Sequence, residues 1–127
     1  MASLPTQFGI FYPTGYIVAA FPNRQDAERV RQDLITGGYD PKDCVLYTGE
    51  EFASIAQRHL ESAGWLAQLG KADELERAQL EAARRGSTLL LIYAPSDLDV
   101  ERAMNVVRRV PFQFAHHYHR FAIHAVK

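Results

Sequence analysis

The residues best suited to chemistry are histidines gathered near the end of the chain. The stretch FAHHYHRFAIH, residues 114–124, holds four of the five histidines. Imidazole side chains bind transition metals and exchange protons near neutral pH. If residues 112–126 form one strand, alternate side chains share a face. One face would then carry His117 and His119, and the other would carry His116, Tyr118, Arg120 and His124.

Metal binding is one interpretation of this stretch. The Cα atoms of His117 and His119 would lie about 6.6 Å apart, which suits a strand-borne His-x-His site, so these two are our predicted metal ligands. His116 and His124 would be about 26 Å apart in a straight strand, too far to share one ion. No third ligand is evident near this stretch, although His59, on the apolar stripe of an inserted helix, could meet the pair if that helix packs on the sheet. We therefore predict no bound cofactor, and a histidine-rich strand that is solvated or lies at a dimer seam is the alternative.

Aliphatic strands and capped helices must position these residues. YIVAAF, residues 16–21, is apolar throughout and predicts a strand buried on both faces. A helix with Asn23 as its N-cap follows and ends at Gly37-Gly38. CVLYT, residues 44–48, then predicts a second, shorter strand.

The same arrangement returns 73 residues later. TLLLIYA at residues 88–94 aligns with the first strand, and Ser96, at the position of Asn23, is the N-cap of a second helix. With the C-terminal segment 112–126 as a strand, each half becomes a βαβ unit. Two such units predict an α+β, ferredoxin-like domain: a four-stranded antiparallel sheet with both helices on one face.

The interval between the two units predicts two inserted helices. We expect one domain over residues 1–127, made of an N-terminal arm (1–14), the first βαβ unit (15–48), a helical insertion (49–86) and the second βαβ unit (87–127). The first and third strands are apolar on both faces, whereas two helices cover only one. The second face must be covered by the insertion or by another subunit, so we expect a homodimer.

Composition restricts the partners and the compartment. Lys and Arg number 14 against 15 Asp and Glu, so no overall charge attracts nucleic acid or an anionic membrane, and we expect neither partner. No segment is long and apolar enough to span a bilayer. The single cysteine, Cys44, suits a reducing compartment as a buried thiol, and we expect a cytoplasmic protein.

Catalysis or small-molecule binding would need a pocket. Small ferredoxin-like dimers can enclose a pocket lined by histidine, tyrosine and arginine, and the candidates here are His59, Tyr93, Tyr118 and Arg120. No catalytic triad, phosphate-binding loop or carboxylate pair is evident, so we expect binding rather than catalysis. Small molecules could also bind at the strand-helix junctions, by analogy with other twofold βαβ domains.

The order of these segments resembles a known family. YIVAAFPNRQDAERVRQDLITGGYDPKDCVLYT, GWLAQLG, RRGSTLLLIYAPSDLDVERAMNVV and AHHYHRFAIHAV together resemble the small bacterial general stress, or heat-induced stress, proteins. The helical centre departs from a pattern that is often glycine-rich. The resemblance implies a ferredoxin-like, stress-associated domain and supplies no catalytic residues. We therefore expect a dimeric binding or interaction module, with a small enzyme or a metal-binding protein as the alternatives.

Overall fold

Aliphatic segments build one five-stranded sheet at the centre of the molecule. The structure, a computed structural model, describes residues 6–7, 10–11, 13–54, 71–119 and 122–127. A short hairpin precedes the sheet in the predicted N-terminal arm and consists of β1 (Thr6–Gln7) and β2 (Ile10–Phe11). The strands of the sheet are β3 (Tyr16–Phe21), β4 (Cys44–Tyr47), β5 (Thr88–Tyr93), β6 (Phe114–Tyr118) and β7 (Ile123–Val126). They lie in the order β4-β5-β3-β6-β7, and every neighbouring pair is antiparallel.

Three of the helices in the described part of the chain begin directly after a polar N-cap residue. The α-helices of this part are α1 (Arg24–Thr36), α2 (described over residues 49–54), α3 (Lys71–Arg84) and α4 (Asp97–Val107). The Asn23 side chain accepts a hydrogen bond from the Gln25 amide at 2.8 Å, and Ser96 forms a capping box with Asp99. α4 therefore starts 73 residues after α1, as the repeat predicts.

The two faces of the sheet carry separate cores. On one face, Ile17, Ala19 and Phe21 of β3 pack with α1 and α4. On the other face, Val18 and Ala20 pack with α2 and α3. The expected placement of α1 and α4 on one face is thus confirmed.

The inserted helices cover the second face. Phe52 of α2 and Ala83 of α3 are buried against the sheet. Thr48 and Glu51 form a capping box at the start of α2, since the Thr48 amide donates to the Glu51 carboxylate and the Glu51 amide donates to the Thr48 hydroxyl. Among the described residues, only Tyr93 and Leu98 are large hydrophobic side chains left exposed. Since the insertion supplies this cover, the reason for expecting a homodimer weakens, and the homodimer stays a prediction.

The expectation of four strands, with residues 112–126 as one strand, is wrong. The chain forms β6, turns back and adds β7 as a fifth strand at the edge of the sheet. The His119 amide donates to the Ala122 carbonyl at 2.7 Å and closes this hairpin. The loop sequence Arg120-Phe121 contains no Gly, Asn, Asp or Pro, so the usual signal for a tight turn is missing.

Candidate functional site: two histidine clusters and a groove

The C-terminal hairpin gathers three histidines on the face of α1 and α4. His117 of β6 lies directly opposite His124 of β7, and His119 follows on the same face as His117. The His117 and His119 ring centroids are 4.5 Å apart, and those of His119 and His124 are 4.3 Å apart. We refer to these three residues as the histidine cluster.

The hairpin corrects two sequence-based expectations. His124 does not share a face with His116, and it does not lie about 26 Å along a straight strand, because it returns beside residue 117. His117 and His119 do share a face, as predicted. Residues paired across two strands point to the same side of a sheet, so the register His117 to His124 brings the third ring to the first two.

A backbone contact fixes the orientation of the His117 ring. Its Nε2 lies 2.7 Å from the Ala94 carbonyl oxygen, which can only accept, so Nε2 carries the proton and Nδ1 is the acceptor nitrogen of the ring. That Nδ1 lies 3.1 Å from His119 Nε2. Burial lowers the pKa of His117, and the hydrogen bond to Ala94 opposes that effect. The ring is therefore neutral near pH 7, with Nδ1 directed at its neighbour.

The histidine cluster is not a finished metal site as it stands. Within residues 13–54, 71–119 and 122–127, no three His, Cys, Asp or Glu side chains are already arranged to hold one ion. One nitrogen of His117 faces one nitrogen of His119, and the His124 ring lies tilted beside that of His119. Metal binding by His117 and His119 stays a prediction.

The fourth histidine of the stretch belongs to a different environment on the opposite face. His116 is buried under α3, where its Nδ1 lies 2.9 Å from Gln79 Nε2. The Gln79 side-chain oxygen accepts a hydrogen bond from the Tyr118 hydroxyl at 3.0 Å. The Phe114 ring stacks on His116 with centroids 4.5 Å apart. His116, Gln79 and Tyr118 therefore form a buried polar trio.

The hydrogen-bond roles in the buried trio require a neutral His116. If the Gln79 oxygen accepts from Tyr118, the Gln79 amide nitrogen is the donor to His116, and Nδ1 must be the acceptor. A protonated ring would place two donors against each other. Burial lowers the pKa of His116 from 6.5 to about 4. This histidine is structural at neutral pH.

An open groove lies where α1, β5 and α4 meet. Its volume is about 410 Å³, and its aromatic and charged lining consists of Tyr39, Tyr93, Asp40, Asp43, Asp99 and Arg102. The Tyr39 hydroxyl donates to the Tyr93 carbonyl at 3.2 Å and closes one side of the groove. We refer to this feature as the junction groove.

The structure describes two of the four residues that were predicted to line one pocket, Tyr93 and Tyr118. Tyr93 is 40% exposed and lines the junction groove, whereas Tyr118 is fully buried in the trio. His59 and Arg120 lie outside the described residues. The described pair does not meet in one cavity.

Sequence reasoning missed Gln79 and the role of His124. Gln79 lies four residues before the buried Ala83 and beside Leu80, so it occupies the buried stripe of α3. A polar residue on that stripe was the available signal. On the solvent side, Glu81 of α3 and the following Arg85 form an exposed ion pair.

Comparisons with known proteins identify neither a family nor a function for this chain. No family model matches the chain, and no curated protein and no solved structure is detectably similar to it. The resemblance to general stress proteins therefore stays a prediction. No helix in the described part of the chain is long and apolar enough to cross a membrane.

Proposed function

We propose that this protein is a ferredoxin-like binding or interaction module. The order β4-β5-β3-β6 supports this fold, because the first strands of the two βαβ units lie side by side in the centre and the second strand of each lies outside. β7 is then an addition to the edge of a ferredoxin-like sheet. Such sheets accept ligands at the ends of strands and at the junctions with helices.

The junction groove is the proposed binding site. The observation that carries the proposal is Arg102, which lines the groove and forms no hydrogen bond or ion pair with any residue that the structure describes. A guanidinium in this state is available to bind a carboxylate or phosphate through two parallel hydrogen bonds. The aromatic rings of Tyr39 and Tyr93 offer apolar surface nearby.

The charge distribution favours a small zwitterion as the ligand. Asp40 and Asp43 lie in the same groove as Arg102 and would attract an ammonium group. A ligand with a carboxylate, an ammonium and a short apolar body would use all three types of lining. Free amino acids and their close derivatives are the first class to test.

Thermal unfolding with a panel of amino acids and related zwitterions tests the groove. A ligand that binds the folded state raises the melting temperature, by several degrees when its concentration is far above Kd. We expect such a shift in the wild type and its loss in Arg102→Ala. The matched control is Arg29→Ala, because Arg29 occupies the corresponding position in α1 and is also exposed. If no compound at millimolar concentration changes the melting temperature, or if Arg102→Ala responds like the wild type, the groove is not the site.

Three further parts of the proposal rest mainly on the sequence. We propose a cytoplasmic location, a homodimer and a place among the general stress proteins. The buried thiol of Cys44 supports the first of these, and burial raises its pKa, which disfavours the reactive thiolate. Sedimentation of untagged protein at micromolar concentration tests the homodimer, and a monomer at all concentrations would refute it.

A further inference from the structure

We infer that the histidine cluster is a binding site for a late first-row divalent metal ion, with His117 Nδ1, His119 Nε2 and a nitrogen of His124 as ligands. This site is separate from the junction groove, and the inference does not depend on the proposed function. Neutral imidazole is the preferred ligand of Zn²⁺, Cu²⁺ and Ni²⁺. Three rings from one hairpin provide the three protein ligands that an open zinc site uses.

The first ligand is held in advance by its backbone contact. A metal-binding histidine commonly donates its second ring N–H to a carbonyl or carboxylate, which fixes the tautomer and the direction of the lone pair. His117 has this arrangement, because Nε2 donates to the Ala94 carbonyl and leaves Nδ1 to bind. The ring is buried, so its orientation is also fixed by packing.

The second ligand is already at the required separation. Two nitrogens bound to one tetrahedral Zn²⁺ at about 2.0–2.1 Å must lie about 3.3 Å apart. His117 Nδ1 and His119 Nε2 are 3.1 Å apart. Without a metal, a hydrogen bond from His119 Nε2 fills this gap. An ion would replace that proton after His119 changes to its other neutral tautomer, with no change in charge on the ring.

The third ligand needs only a side-chain rotation. His124 is exposed on the edge strand, and its ring lies against that of His119. Its backbone is paired with His117, and side chains opposite each other on neighbouring strands have Cβ atoms about 4.5–5.5 Å apart. The hairpin thus places the backbone of His124 close to that of His117. Rotation of the exposed His124 side chain then brings its ring to the ion and completes the site.

Calorimetric titration of untagged protein with ZnCl₂ at pH 7.5 tests the inference. We expect one ion per chain, bound in the micromolar range. His119→Ala and His124→Ala each remove a ligand that is not fully buried, and each should weaken binding about tenfold or more. His116→Asn is the matched control, because it changes a histidine of the same strand on the opposite face and should keep the wild-type affinity.

The same titration can overturn the inference. Absence of saturable binding at Zn²⁺ concentrations below about 100 µM would overturn the inference, because binding in the micromolar range is expected. Unchanged affinity in both His119→Ala and His124→Ala would place the metal elsewhere. Loss of binding in His59→Ala together with its retention in His119→Ala would do the same. Imidazole ¹⁵N spectra provide a second readout, in which the His117 Nδ1 signal should shift on addition of Zn²⁺.

Discussion

Burial of His116 in the trio with Gln79 and Tyr118 should make the stability of the protein depend on pH. The pKa of His116 falls from 6.5 to about 4 on folding. Between those values the unfolded chain binds a proton at this position and the folded chain does not, so the free energy of unfolding rises with pH. Above pH 6.5 this histidine does not reduce the free energy of unfolding, and the reduction grows as the pH falls from 6.5 toward 4.

The size of this effect follows from the two pKa values. Between pH 7.5 and pH 5.0, a group with an unfolded pKa of 6.5 and a folded pKa of about 4 reduces the free energy of unfolding by about 2 kcal/mol. The lowered pKa of His117 acts in the same direction. For a domain of this size, 2 kcal/mol is a substantial share of the net stability.

Urea denaturation at pH 7.5 and 5.0, in the wild type and in His116→Asn, measures the contribution. The Asn side-chain oxygen can accept the hydrogen bond from Gln79 but does not titrate. We therefore expect the loss of stability on acidification to be about 2 kcal/mol smaller in this variant. Other groups that titrate in this range are common to both proteins and cancel in the difference.

A variant that destabilises the same region without changing a histidine is the control. Val18 of β3 is paired with His116 in the sheet register and is fully buried. Val18→Ala should lower stability at both pH values and keep the wild-type pH dependence. An equal pH dependence in His116→Asn and the wild type would refute the reasoning, because the proton would then be taken up elsewhere.

Three other predictions concern the elements that position the clusters. Gly49→Ala should destabilise the protein by more than about 2 kcal/mol in urea, because the new Cβ would clash with the Ala83 carbonyl oxygen. Ser96→Ala removes the N-cap of α4 and should cost about 1 kcal/mol in the same assay, with the far-ultraviolet spectrum retained. Tyr118→Phe removes a donor to the buried Gln79 oxygen and should cost about 1–3 kcal/mol, and a neutral result would mean that water or another donor replaces the hydroxyl.

Much of the fold follows from local signals in the sequence. Strands buried on both faces are apolar at nearly every position, and β3 and β5 are recognisable from that feature alone. Asn23 and Ser96 mark the helix starts because short polar side chains satisfy the first free amides. Both faces of β3 and β5 are apolar and must be covered. This predicts two helices on one face of the sheet and the inserted helices on the other.

The candidate sites were less predictable because they depend on long-range pairing. Nothing in Arg120-Phe121 indicates a turn, so the C-terminal segment resembles one continuous strand of mixed polarity. The junction groove joins Tyr39, at the end of α1, with Arg102 of α4, and these residues are 63 positions apart in the chain. The Gln79 contact to His116 likewise joins an inserted helix to the sheet. Local periodicity does not determine such contacts.

The register of the hairpin decides what the histidines can do. In one straight strand, odd-numbered residues share a face, and His124 would lie with His116, away from His117 and His119. In the hairpin, Tyr118 pairs with Ile123, so each odd-numbered residue of β6 faces an even-numbered residue of β7. His124 thereby joins His117 and His119, while His116 is left under α3 as a structural residue. A register shifted by one residue would move every side chain of β7 to the opposite face and remove the third histidine from the cluster. The chemistry available to this stretch is therefore set by a turn that the sequence does not signal.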